Sequence, residues 1–202
     1  MSARLFADVA TEMTRLHLLK VFSREHEVPM EISLFHRLFE LIPSVNEALA
    51  DMRGNKNQNC LALAALTLFE QYKKVILTVP SGKGKSRIVF VFLALYFLHK
   101  VTVRMSSGSK VHLYFSHNGM MQADTVALDA LSKNLRFSFE KSVVKEYGTT
   151  IKTLANHVYI VDEADYALID LNYTFTGPGY ILCLTATAAK STEALENSVY
   201  DS

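Results

Sequence analysis

Four short segments, Val75–Val79, Val111–Phe115, His157–Val161 and Tyr180–Leu184, are apolar at almost every position, and each stops at a cluster of small or polar residues. A strand with one wet face alternates apolar and polar side chains; a strand without that alternation is buried on both faces. The stretches Ser86–His99 and Met120–Leu131 read as helices between such strands, and Leu135–Phe139 reads as an alternating strand. Strands alternating with helices predict an α/β fold with a parallel sheet and helices on both of its faces. Open parallel sheets bind ligands beyond the C-terminal ends of their strands, so the polar clusters there are the candidate functional residues.

Upstream of the first strand the period is helical. Leu16, Leu19, Lys20 and Phe22 share one side of a helical wheel, and Ile32, Leu34, Phe35, Leu38, Phe39 and Leu41 recur at spacings of three and four. Pro29 and Pro43 punctuate these segments, Met52–Asn59 reads as a loop around Gly54, and a further helix is expected from about Cys60 to about Lys74. The expected organisation is a helical N-terminal extension over 1–50 and a larger α/β domain over 51–202.

Of the 202 residues, 50% are hydrophobic and 20% charged, with a formal net charge of +1, an ordinary globular balance with no global basic field for a polyanion. Cys60 and Cys183 lie inside apolar runs and read as buried thiols rather than as a disulfide. Asp8 and Glu12 interrupt the basic series Arg4, Arg15, Lys20 and Arg24, against a transit peptide. The longest strongly apolar run, Ile88–Leu98, is too short for a bilayer. These features lead to the expectation of a soluble intracellular protein, cytoplasmic by default and without a membrane span.

The first strand runs into Val79-Pro-Ser-Gly-Lys-Gly-Lys-Ser86. A triphosphate needs converging backbone N–H groups, and glycine lets the main chain approach and turn closely enough to supply them. Ser81, Gly82, Lys83 and Gly84 form such a loop, and a helix starting behind it turns its positive end toward the phosphates. Lys85 is placed to reach the β- and γ-phosphates, Ser86 to offer a hydroxyl to Mg²⁺, and Arg87 follows in the cofactor-binding segment. The strict pattern G-x-x-x-x-G-K-S/T has glycine where Val79 stands, so the match is to the looser form.

The third apolar run ends in Asp162-Glu163-Ala164-Asp165. A buried strand would carry Asp162 to the sheet edge, where a carboxylate can hold Mg²⁺ directly or through water. Glu163 would then orient or deprotonate an attacking water.

Asp162–Asp165 spells the motif of the DEAD-box proteins, and Leu184-Thr185-Ala186-Thr187-Ala188 is similar to their third motif, in the family's order after the phosphate loop. Over roughly residues 53–190 the chain therefore resembles the first RecA-like motor domain of superfamily 2 helicases and translocases. The resemblance implies ATP and Mg²⁺ as cofactors, Lys85 and Glu163 in catalysis, and Thr185 and Thr187 linking hydrolysis to domain movement. It further implies an adenine-reading role for Gln58 and polymer contacts at Ser116, His117 and Asn118 and at Thr149 and Thr150. Nucleic acid is the polymer this family favours. Tyr147-Gly148-Thr149 and Val161–Asp170 also resemble stretches of the SecA translocation ATPases, which would make unfolded polypeptide the substrate. An interaction module that keeps the fold without catalysis is the third expectation. Such motors close two domains around ATP, and the second brings an arginine worth about 10³–10⁵ in rate. A second motor domain, in cis or in trans, is therefore an expected partner, and the half motor alone is expected to turn over slowly.

Overall fold

The computed structural model describes residues 32–79, 84–102, 110–117 and 125–186. They fall into two compact units. One comprises the described parts of Met1–Gln71 and Ser86–Met105, the other those of Tyr72–Lys85 and Ser106–Ser202.

The first unit is helical. Helices α1 (Ile32–Phe39) and α2 (Ile42–Leu49) lead through a 3₁₀ turn at Ala50–Met52 into α3 (Lys56–Gln71). Helix α3 begins four residues before the position expected from the apolar pattern, because its start is capped by polar residues. The Asn55 side chain accepts a hydrogen bond from Gln58 N–H at 2.9 Å, and the Gln58 side chain accepts one from Asn55 N–H at 2.9 Å. This reciprocal capping satisfies two donors that a helix start would otherwise leave open. Helix α4 (Lys85–Thr102) shows no polar stripe, and Ile88 through Phe97 are all buried. A helix apolar on every side has to be enclosed by protein; Phe92 meets Phe69 of α3 edge-on with ring centroids 5.3 Å apart. No helix among the described residues is long and apolar enough to cross a membrane.

The second unit holds a five-stranded sheet in which every pairing is parallel, in the order β1-β7-β5-β2-β3. The strands are β1 (Lys74–Thr78), β2 (Lys110–Phe115), β3 (Ser138–Val143), β5 (Val158–Val161) and β7 (Tyr180–Thr185). The α/β class and the parallel sheet expected from the apolar runs are both present. All four residues of β5 are buried, so both of its faces are covered, as a run without alternation requires. β3 occupies an edge, and its alternate side chains are exposed. It starts at Ser138 and not at Leu135, because helix α5 (Thr125–Leu135) extends further than its apolar pattern suggested. Arg136 then takes φ +55°, and Phe137 N–H reaches back to Ser132 O at 3.1 Å, a left-handed helix end that only afterwards releases the chain into the strand.

The segment between β3 and β7 holds two short strands not expected from the sequence. β4 (Thr150–Lys152) and β6 (Thr174–Thr176) form a separate two-stranded parallel sheet. Ile151 and Phe175 pack with Tyr159 and Val161 of β5 and Ile181 and Cys183 of β7, so the small sheet covers one face of the large one. The return into β7 is tight. Gly177 holds φ +104°, and a Cβ there would lie 2.6 Å from Thr153 O. Gly177→Ala is therefore expected to destabilise the protein by about 1–3 kcal/mol, measurable by denaturant titration. A change below about 0.5 kcal/mol would mean that the turn relaxes freely.

Candidate functional site

Three strand ends meet at the C-terminal edge of the large sheet. β1 continues one residue beyond its ladder, with Val79 N–H donating to Thr185 O of β7 at 2.8 Å. β7 lies between β1 and β5, and its last residue, Thr185, is fully buried. On the other side Asp162, just past β5, donates its N–H to Tyr114 O of β2 at 2.9 Å. The sheet hydrogen bonds thus fix Val79 and Asp162 to a common frame.

Gly84 has φ +75°, a left-handed conformation that glycine adopts without strain. The next residue, Lys85, opens α4. Its Nζ donates to Glu163 Oε1 at 2.7 Å and lies 3.9 Å from Asp162 Oδ1. The Lys85 and Asp162 side chains are only 13% and 12% exposed and that of Glu163 is 31% exposed, so the cation and the first carboxylate are largely withdrawn from water. A charge withdrawn in this way requires a partner, and each side supplies the other's.

Glu163 is held in an unusual backbone conformation, φ +49°, which costs a side chain with a Cβ about 1–3 kcal/mol and persists only where surrounding structure imposes it. The causes are local. Asp162 Oδ1 accepts Glu163 N–H at 3.0 Å, and Glu163 O accepts from Tyr166 N–H at 3.0 Å and Ala167 N–H at 3.3 Å. The chain turns within one residue from a strand into a helical turn that widens to a π turn at Tyr166–Asp170. Ala164, Ala167 and Leu168 anchor that turn in the core. The strain aims the Glu163 carboxylate back at Lys85.

Of the other residues singled out in the sequence, Gln58, Arg87 and Thr149 make hydrogen bonds that shape the fold. Gln58 caps α3, as described above. Arg87 Nη1 donates to Asp51 O at 3.1 Å and Arg53 O at 2.8 Å, fastening α4 to the 3₁₀ turn within the helical unit. Thr149 Oγ1 donates to Glu146 O at 2.9 Å, while Thr150 is exposed on β4. Ser116 and His117 follow β2 directly, and Ser86 is the second residue of α4. Ser81, Gly82, Lys83, Asn118 and Thr187 lie outside the described residues. Both cysteines are free and buried; desolvation raises the Cys183 thiol to about 12 and the Cys60 thiol to about 11, which leaves them unreactive.

A second polar cluster went unnoticed in the sequence. At the start of β2, His112 Nε2 lies 3.0 Å from His157 Nδ1, and the His112 ring stacks on Tyr159 at 4.4 Å between centroids. Glu140 of β3 approaches His112 Nδ1 at 3.5 Å and also pairs with Lys110. The signal was available: Lys110 and His112 alternate with Val111 and Leu113 and so share one face of the strand. Among the described residues no group of three or more His, Cys, Asp or Glu side chains could hold a metal ion, this cluster included.

The environment of His112 has a consequence for pH. Burial lowers its proton affinity first and the neighbouring His157 lowers it further, while Glu140 opposes them. The unfolded chain takes up a proton near the ordinary histidine value of about 6.5, whereas the folded chain resists until a lower pH. Stability contributed here is thus complete above about pH 6.5 and declines as pH falls through the depressed folded value. His112→Phe keeps a ring against Tyr159 and removes the titrating group. The melting temperature of this variant should fall less than that of the wild type between about pH 7 and pH 5; equal slopes would place the pH dependence elsewhere.

Comparison with protein-family models, curated proteins and solved structures gives no match.

Proposed function

We propose that this chain is a nucleotide-binding motor-type domain that takes Mg²⁺–ATP at the C-terminal edge of its parallel sheet. The observation that carries this reading is the convergence of Lys85, behind a left-handed glycine at a helix start, on two successive carboxylates at the end of β5. The donor set suits the ligand. A lysine is a compact cation for phosphate oxygens, and carboxylate oxygens are hard donors of the kind Mg²⁺ prefers.

Bound Mg²⁺–ATP supplies a γ-phosphoryl group whose transfer to water releases the free energy that motors use. Lys85 would hold the β- and γ-phosphates, Asp162 would hold the metal, and Glu163 would accept a proton from the attacking water. Lys85 has three N–H donors and uses one on Glu163, so it could hold that carboxylate and a phosphate oxygen together; where phosphate drew it away, Glu163 would be free to act as a base. Thr185, buried between the two strand ends, would couple them. The polymer acted on would be nucleic acid, with polypeptide as the second reading, and a second motor domain would complete catalysis.

Calorimetry with Mg²⁺–ATP tests the core of the proposal, and ATPase assays with added RNA, DNA or unfolded polypeptide test the polymer. Saturable binding by the folded protein is expected, with slow turnover that one polymer stimulates. Glu163→Gln should keep nucleotide affinity and lower turnover by about 10²–10⁴. A folded wild-type chain that ignores nucleotide would leave the interaction-module reading in its place.

A further inference from the structure

β4 presents an unused strand edge. In a parallel ladder, alternate residues of a strand turn their N–H and C=O groups toward the neighbour. Two bonds at the ends of the β4–β6 ladder fix which residues these are: Thr174 N–H donates to Thr149 O at 3.0 Å, and Thr153 N–H donates to Thr176 O at 2.7 Å. Thr149, Ile151 and Thr153 therefore face β6. Thr150 and Lys152 turn their backbone groups the other way, where β4 has no neighbouring strand among the described residues. Both residues are exposed, whereas Phe175 of β6 is fully buried, so the open side of the small sheet is the β4 side.

The ends of this edge carry large apolar side chains in water. Tyr147, shortly before β4, is 74% exposed, and Leu154, shortly after it, is 57% exposed. Lys152 on the strand and Lys145 before it are exposed cations with no ion-pair partner among the described residues, against one exposed carboxylate, Glu146, beside Tyr147, so the edge strand itself carries only the cation Lys152.

We propose that the open edge of β4 is a docking site for an extended acidic polypeptide segment, which adds to the small sheet as a third strand between Tyr147 and Leu154. Backbone groups of Thr150 and Lys152 would supply the pairing, as strand addition requires, and the apolar side chains would grip the segment at both ends. Charge selects the occupant. A lysine on an edge opposes pairing with an identical copy, because like charges meet across the new ladder. The same lysine favours a partner strand with carboxylates on that face. An alternating segment meets both demands, with acids beside Thr150 and Lys152 and apolar residues on the Ile151 side. The site uses none of Lys85, Asp162 or Glu163 and does not rest on the nucleotide reading.

The test uses the full chain without nucleotide and two fluorescein-labelled synthetic peptides, one alternating valine and glutamate and one alternating valine and lysine. Fluorescence anisotropy should show binding of the valine–glutamate peptide and not of its lysine counterpart. Amide exchange at Thr150 and Lys152, fast in the free protein, should slow when that peptide is bound. Lys152→Glu reverses the charge and leaves the backbone intact, while Thr150→Pro deletes an outward N–H and no ladder bond. Each should weaken binding roughly tenfold or more while the melting temperature holds. The proposal is overturned if the wild type does not bind, if both variants bind like the wild type, or if exchange at the two amides is unchanged. It is equally overturned if the lysine peptide or a poly-uridine oligonucleotide is taken instead, or if sedimentation shows a dimer that Thr150→Pro dissolves, since a second copy then covers the edge.

Discussion

Lys85→Ala will lose most of its affinity for Mg²⁺–ATP and keep its fold. Lys85 is the described cation at the site, 2.7 Å from Glu163 and 3.9 Å from Asp162. A charge-assisted bond from a shielded ammonium contributes about 1.5–3 kcal/mol, so its loss should weaken binding by roughly 10- to 100-fold. The cost to the free protein is smaller. Glu163 is 31% exposed and can turn to water when its partner is removed, although Asp162, at 12%, keeps an unbalanced charge nearby. A melting temperature modestly below that of the wild type is therefore expected together with weak calorimetric binding. Lys85→Arg should recover only part of the affinity, since a planar guanidinium does not replace a compact ammonium. Equal nucleotide affinity in Lys85→Ala and wild type would remove the proposed role of the site, whatever the stability data showed.

Phe175→Ala will produce the opposite pattern, a large loss of stability with no chemical cause at the candidate site. Phe175 is fully buried at the centre of β6 and meets Tyr114 of β2 edge-on with ring centroids 5.6 Å apart. It is the principal side chain by which the small sheet grips the large one. Emptying the site removes its transfer free energy and leaves a cavity that a two-stranded sheet against β5 and β7 cannot close fully. The expected cost is about 3–5 kcal/mol. For a chain of this length that corresponds to a fall in melting temperature of roughly 6–20 °C. Thermal unfolding followed by circular dichroism measures it. A fall of less than about 3 °C would show that the β4–β6 sheet is loosely attached and that its packing adds little to stability.

The pairing of these two variants separates chemistry from architecture. Lys85→Ala removes an interaction that a ligand would use, and Phe175→Ala removes one that only the fold uses. Glu163 lies between the two cases, because its carboxylate faces Lys85 while its backbone is strained by the turn that Ala164, Ala167 and Leu168 anchor in the core.

The sequence by itself determined the α/β class, the parallel character of the sheet and the strand ends at which polar residues would gather. It could do so because burial on both faces imposes apolar runs such as Val158–Val161. The order of Lys85 and Asp162–Glu163 along the chain was equally legible, since each follows directly from such a run. Helix starts and ends were less legible: α3 begins at a cap made by Asn55 and Gln58, and α5 ends at a left-handed Arg136, neither of which appears in an apolar pattern. Only the tertiary structure decided the strand order, because which parallel strands become neighbours depends on contacts distant in sequence. That order places β7 between β1 and β5 and lets Lys85 meet Glu163 across it. Only the tertiary structure disclosed the positive φ of Glu163, a strain imposed by the core beneath it, and the β4–β6 sheet, whose three-residue strands are too short to carry a period of their own. A run of apolar residues is a property of the chain, but an ion pair between residues 78 positions apart is a property of the packing.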